Sequence, residues 1–157
     1  MTQDGNIVGA NNFPSLVDDA ASIHSHMIGI FNDVCARYGT RFSEALYQKA
    51  IARRAYIDML PIMTERELFV DLGEGSLLVG RVDFEVARKC LYELKIGNSN
   101  VTKDSEQVKK YLTAYDLNQE TIEIAAVVYF TNHGVEVHVV RNKSRDDLCS
   151  TDGPAPP

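Results

Sequence analysis

Apolar residues recur at three- and four-residue steps at Leu16, Val17, Ala20, Ile23, Met27, Ile28, Phe31, Val34, Cys35 and Tyr38. That spacing draws one apolar stripe along a long helix from Leu16 to Tyr38, and Gly39 is suited to end it. A second helix is expected from a Ser43 cap through about Leu60, with Leu46, Tyr47, Ala50, Ile51 and Ala55 to one side and Pro61 as its stop. The pattern then shortens its period. Ile62 to Leu72 and Ser76 to Val86 read as two strands joined across Gly73-Glu74-Gly75, and Cys90 to Ile96 reads as a third. Helical spacing returns from Thr102 to Tyr115. Ile122 to Phe130 is nearly all apolar, as in a strand covered on both faces, and Thr131-Asn132-His133-Gly134 turns the chain into a last strand, Val135 to Arg141. The order ααβββαββ, with no internal repeat, makes this an α/β protein with a mixed β-sheet flanked by helices.

The ends lack this patterning. Residues 1–14 are expected to be a flexible arm and residues 144–157 a disordered tail, leaving 15–143 as one domain. With 157 residues, 45% hydrophobic and 24% charged, the chain has the balance of a soluble globular domain, and no apolar run is long enough for a membrane span. The start, MTQDGNIVGANNF, lacks the basic and apolar segments of an export signal, so an intracellular protein, cytoplasmic or nuclear, is expected. Cys35, Cys90 and Cys149 are odd in number and widely spaced, which suggests neither a disulfide framework nor a zinc ribbon. A net charge of −6 argues against a protein that coats nucleic acid non-specifically, because such binding comes from many cationic contacts to phosphates. A local basic patch stays open.

Chemistry concentrates in GRVDFEVARKCLYELK, from Gly80 to Lys95. Side chains alternate across a strand, so Glu93 and Lys95 share a face. If Ala87-Arg88-Lys89 forms the turn, Val86 pairs with Cys90 and Asp83 falls opposite Glu93 on that same face. Two facing carboxylates repel unless a proton or cation lies between them. Mg²⁺ suits such a pair, because it takes hard oxygen ligands and commonly binds through one or two carboxylates plus phosphate and water. Lys95 would then stand where it could orient an attacking water or neutralise charge on a phosphate. The plainer alternative is a solvated Glu-x-Lys pair. Arg81, two residues before Asp83, would share its face and bind phosphate or pair with a carboxylate. Gln107, on the polar side of its helix, is either a phosphate-orienting group or a solvated glutamine. The four histidines, His24, His26, His133 and His138, read as surface or satisfied side chains.

These residues also carry a resemblance. Asp83 followed by Glu93-Leu94-Lys95 resembles the active-site signature of the PD-(D/E)XK nuclease superfamily, and the flanking text is similar to its GxxExxY branch. Glu44 and Tyr47 stand three apart in RFSEALYQKAI, with Arg41 where the first glycine of that name would be. GRVDFEV, YELK, EQVKKYL with Gln107, Tyr111 and Leu112, and YFTNHGVEVHVVR follow in the branch's order, over roughly Ile23 to Arg141. The resemblance implies a restriction-endonuclease-like core and hydrolysis of phosphodiester bonds, with Mg²⁺ or Mn²⁺ as cofactor and DNA favoured over RNA as substrate. It implies Asp83, Glu93 and Glu44 as metal ligands, Lys95 and Gln107 as further catalytic groups, and Arg81 with Lys95 against the nucleic acid. For Glu44 the alternative is a helix-start carboxylate favouring the dipole. A homodimer through the first helix stays open, and so does a non-cleaving module that keeps the fold and binds nucleic acid or protein.

Overall fold

The computed structural model describes residues 19–97 and 100–142. The arm at 1–14, the start of the first helix at 16–18 and the tail at 144–157 lie outside them. Two helices, α1 (Ala20–Tyr38) and α2 (Glu44–Ile57), precede three strands, β1 (Ile62–Asp71), β2 (Ser76–Val86) and β3 (Cys90–Ile96); then come α3 (Val101–Leu117), β4 (Ile124–Thr131) and β5 (Gly134–Val140). The strands lie side by side in chain order, antiparallel except where β3 and β4 run parallel through the α3 crossover. This is the expected ααβββαββ order and a restriction-endonuclease-like α/β fold.

Each helix is set by its ends. Asp19 caps α1 by accepting from the Ser22 N–H at 2.7 Å, and Gly39, at φ 64°, closes it with a bond to the Cys35 carbonyl. The second helix stops at Ile57, three residues short of the expected Leu60. Met59 takes φ 58°, and the Met59 and Leu60 N–H groups bond back to the Tyr56 and Ala55 carbonyls. That is a Schellman closure made without glycine, fastened by the buried Leu60. Pro61 therefore follows the stop rather than causing it. Gln119, at φ 59°, closes α3 in the same way through Glu120 N–H to the Tyr115 carbonyl.

The sheet separates two cores. Ile23, Met27, Phe31, Tyr47 and Ile51 pack with Phe84, Tyr92 and Leu94 on the α1–α2 side, while Val108, Tyr111, Leu112 and Tyr115 pack with Val82, Leu91 and Val127 on the α3 side. Among the described residues the apolar stripe of α1 from Ala20 to Cys35 is thus packed largely into its own core. Between the layers β4 is buried from Ala125 to Phe130, as its unbroken apolar run requires.

One irregularity positions everything that follows. Val82 and Phe84 are two apart on β2, yet Val82 belongs to the α3-side core and Phe84 to the α1–α2-side core. A regular strand cannot do this. The β1–β2 ladder omits a pair at Glu65 and Asp83, and Glu65 sits at φ 51°, so the strands exchange faces at that level. The β2–β3 ladder runs only from Val86↔Cys90 to Phe84↔Tyr92 and ends one step before Asp83, while β3 continues beside β4 to Ile96. The pairing of Val86 with Cys90 is as expected; the strict ladder pairing of Asp83 with Glu93 is not formed.

Candidate active site

Asp83 occupies the fork. Its backbone has left the ladder, and its side chain takes over the vacated bond: Oδ2 accepts from the Leu94 N–H at 2.8 Å, while Oδ1 accepts from Gln48 Nε2 of α2 at 2.7 Å. Burial pushes this carboxyl up, and Glu93 and then Glu44 push it further, to about 7, against the opposing pull of the Leu94 N–H and Lys95. A side chain rather than a backbone pair thus ties Asp83 to β3.

Glu93 is 3% exposed. Its Oε1 accepts from Lys95 Nζ at 2.9 Å, but Oε2 is buried with no hydrogen-bond partner among the described residues. Burial raises its pKa; Lys95 lowers it and Glu44 and Asp104 raise it. For Lys95 burial disfavours the charge, yet Glu93, Glu44 and Asp83 together hold the ammonium above its ordinary value. Glu44, in the first turn of α2, is half-buried and raised by desolvation, with Lys95 and Asp104 acting on it in opposite senses. The solvated-pair alternative for Glu93 and Lys95 is excluded by their burial.

Gln107 is engaged, not solvated. It donates from Nε2 to Tyr111 Oη at 2.7 Å, and that hydroxyl donates to the Arg81 carbonyl at 2.9 Å. Tyr111 lies against Gly80, where an added Cβ would come within 2.7 Å of its ring, and the Tyr111 hydroxyl is raised by burial and by Glu93 and Asp83. Its network therefore borders the carboxylates. The Arg81 guanidinium points to β1, toward Glu67 at 3.5 Å and Glu65 at 3.9 Å. Three histidines are satisfied and the fourth is at the surface: His24 stacks on Tyr92 with Nδ1 2.9 Å from its hydroxyl, His26 meets Asp58 at 2.7 Å, His138 packs edge-on to Tyr129, and His133 is exposed in the turn between β4 and β5.

Three further side chains contribute, of which only Tyr111 is itself a matched motif position, in EQVKKYL. Gln48 lies one turn after Glu44, so the i, i+4 spacing placed it on the same face. Asp104 is 8% exposed in the first turn of α3, with Oδ2 accepting from Tyr129 Oη at 2.9 Å, and Tyr129 pairs in register with Lys95. Polar groups near a helix start do not by themselves mark a site. Tyr111 lay within the helix's apolar spacing and gave no polar signal.

The site thus gathers Asp83, Glu93, Glu44 and Asp104 about one lysine. Leaving a buried carboxylate oxygen unpaired costs free energy unless something positive meets it, and hard oxygen donors suit a magnesium-type ion. Among the described residues no three His, Cys, Asp or Glu side chains form a ready ligand cluster. An ion here would draw only part of its coordination from these side chains as they stand.

No curated protein matches. A crystal structure of SSO0001 is 15% identical over 70% of this chain and 59% of that one, with a TM-score of 0.48, so the chain spans less than two-thirds of that protein's length. The model of the PD-(D/E)XK nuclease superfamily matches residues 21–141, which include the fork, the Glu93–Lys95 pair, Glu44 and Gln107, and the chain belongs to that superfamily.

Proposed function

We propose that this protein is a metal-dependent nuclease that hydrolyses phosphodiester bonds, in DNA rather than RNA, and that it belongs to the GxxExxY branch. One observation carries the reading: among the described residues Glu93 holds a buried, unpartnered carboxylate oxygen, while its other oxygen accepts from Lys95 and its charge helps push the Asp83 carboxyl up to about 7. Membership of the superfamily supports it, since these enzymes act on nucleic acids and generally need a divalent metal. Asp83 and Glu93 would hold Mg²⁺ or Mn²⁺, with Glu44 as a further ligand. Such an ion supplies Lewis-acid stabilisation of charge on the phosphoryl oxygens.

The chain's own groups do the rest. Gln48 and the Leu94 N–H fix the orientation of Asp83. Lys95, kept charged by Glu93, orients the attacking water and offers positive charge where negative charge grows. Gln107, anchored on Tyr111, orients the phosphate, and Arg81 exchanges its exposed contacts with Glu65 and Glu67 for a strand. The working unit is residues 15–143, in an intracellular protein, and a homodimer would use a surface other than the buried stripe of α1. Among the described residues no helix is long and apolar enough to cross a membrane.

A second reading, a non-cleaving module that binds nucleic acid or protein, is favoured by the net charge of −6 and by the lack of a three-ligand cluster among the described residues. Incubation with single- and double-stranded DNA and RNA, in Mg²⁺, Mn²⁺ or EDTA, separates the two. Metal-dependent cleavage of DNA is expected, falling about 100-fold or more in Lys95→Ala while binding changes little. Binding without any cleavage would leave the module. Cleavage that survives Lys95→Ala, Asp83→Ala and Glu93→Ala would remove the site from the chemistry.

A further inference from the structure

Away from the carboxylates, α1 and α2 enclose a groove of about 340 Å³ lined by Asp33, Arg37, Tyr38, Arg53 and Arg54, over an apolar floor. Its arginines differ. Arg54 is committed, with Nε 3.2 Å from Asp58 and NH1 3.5 Å from Asp33. Arg37 and Arg53 are exposed, and neither makes an ion pair within the described residues. The α1 dipole accounts for a cation at Arg37 in its last turn, but nothing comparable accounts for Arg53, nine residues into α2. With Asp33 the one acidic lining residue and already paired with Arg54, the three arginines leave the groove net positive in a chain of net charge −6, and two of the guanidiniums are exposed and open to an anion. Guanidinium groups favour phosphate, and Tyr38, 38% exposed at the rim, offers a ring for a base or sugar.

We propose that the α1–α2 groove is a phosphate-binding subsite that holds the backbone of a nucleic-acid strand away from the carboxylate site. This rests on the nucleic-acid part of the functional reading, not on cleavage. Helix α2 joins the two places: Glu44 and Gln48 act at the fork, while Arg53 lies about 13 Å along the helix from Glu44 and about 7 Å from Gln48, on the other side of the helix. A strand must therefore extend a few nucleotides beyond the fork to reach it. Long strands engage the groove and short ones do not.

The test measures binding of short and long oligo(dT) by the full chain in EDTA, across a salt series, with metal-dependent cleavage read in parallel. Removing two phosphate contacts in Arg37→Ala/Arg53→Ala should reduce the slope of log K against log salt by about 1.4 for the long strand, equivalent to about 25-fold weaker binding at 0.1 M relative to 1 M salt. The short strand should bind as to wild type. Arg88→Ala, which removes an exposed charge from the β2–β3 turn, should bind the long strand normally, and Arg37→Gln/Arg53→Gln should reproduce the loss with side-chain bulk retained. An unchanged slope, an equal loss in Arg88→Ala, or no binding of long strands by wild type overturns the subsite. Groove-dependent binding without cleavage by wild type would keep the subsite and defeat the nuclease reading. Cleavage with an unchanged groove variant would do the reverse.

Discussion

Asp83→Asn should stabilise the metal-free protein at high pH and destabilise it at low pH. The Asp83 carboxyl rises from 3.8 to about 7 in the folded chain, mainly through burial and then through Glu93. The folded protein therefore keeps a proton that the unfolded chain releases. Its contribution to stability is complete below about pH 4 and is lost as pH climbs through 7, a span of about 4 kcal/mol. Asparagine removes that loss, but its side chain can accept from only one of the two donors, the Leu94 N–H and Gln48 Nε2, which costs about 1 kcal/mol. The variant should be about 3 kcal/mol more stable than wild type at pH 8 and about 1 kcal/mol less stable at pH 4. Urea unfolding in EDTA at several pH values measures this directly. Parallel stability curves for the two proteins, with no change of sign, would refute the burial and repulsion assigned to Asp83.

Two other substitutions probe the supports of the fork. Gln48→Met keeps the bulk but removes the Asp83 donor, so Mn²⁺ affinity should weaken by about 10- to 100-fold, as when an outer partner of a ligand is lost, while unfolding in EDTA shifts by about 1 kcal/mol; an unaltered affinity would make the contact incidental. Gly80→Ala drives a Cβ toward the Tyr111 ring and should cost about 1–3 kcal/mol. Combined with Tyr111→Ala, the cost should be clearly less than additive in a urea-denaturation cycle, and strict additivity would remove the clash as its cause.

Much of this architecture is legible because the strands announce themselves. The bounds of β2 and β3 match the expected ones, since Gly73-Glu74-Gly75 and Ala87-Arg88-Lys89 punctuate apolar runs and set the Val86↔Cys90 pair. The end of α2 is not legible because Met59 enters the left-handed region without being glycine, so no local signal precedes Pro61. The face exchange at Glu65 and Asp83 is hidden for the same reason. Of the site, Asp83, Glu93 and Lys95 could be read from polarity inside apolar strands. Asp104 and Tyr111 could not, because one resembles a dipole-favouring acid and the other a core aromatic. Their relation to Glu93 exists only after α3 packs on the sheet.

The central claim is that Asp83 and Glu93 together hold a divalent ion at the fork, and calorimetric titration of Mn²⁺ into the EDTA-stripped, desalted full chain tests it most directly. Saturable binding to wild type is expected, abolished in Glu93→Gln and in Asp83→Asn while both variants still unfold cooperatively. Binding to wild type that persists at equal affinity in both variants, or no binding to wild type at millimolar Mn²⁺, would contradict it.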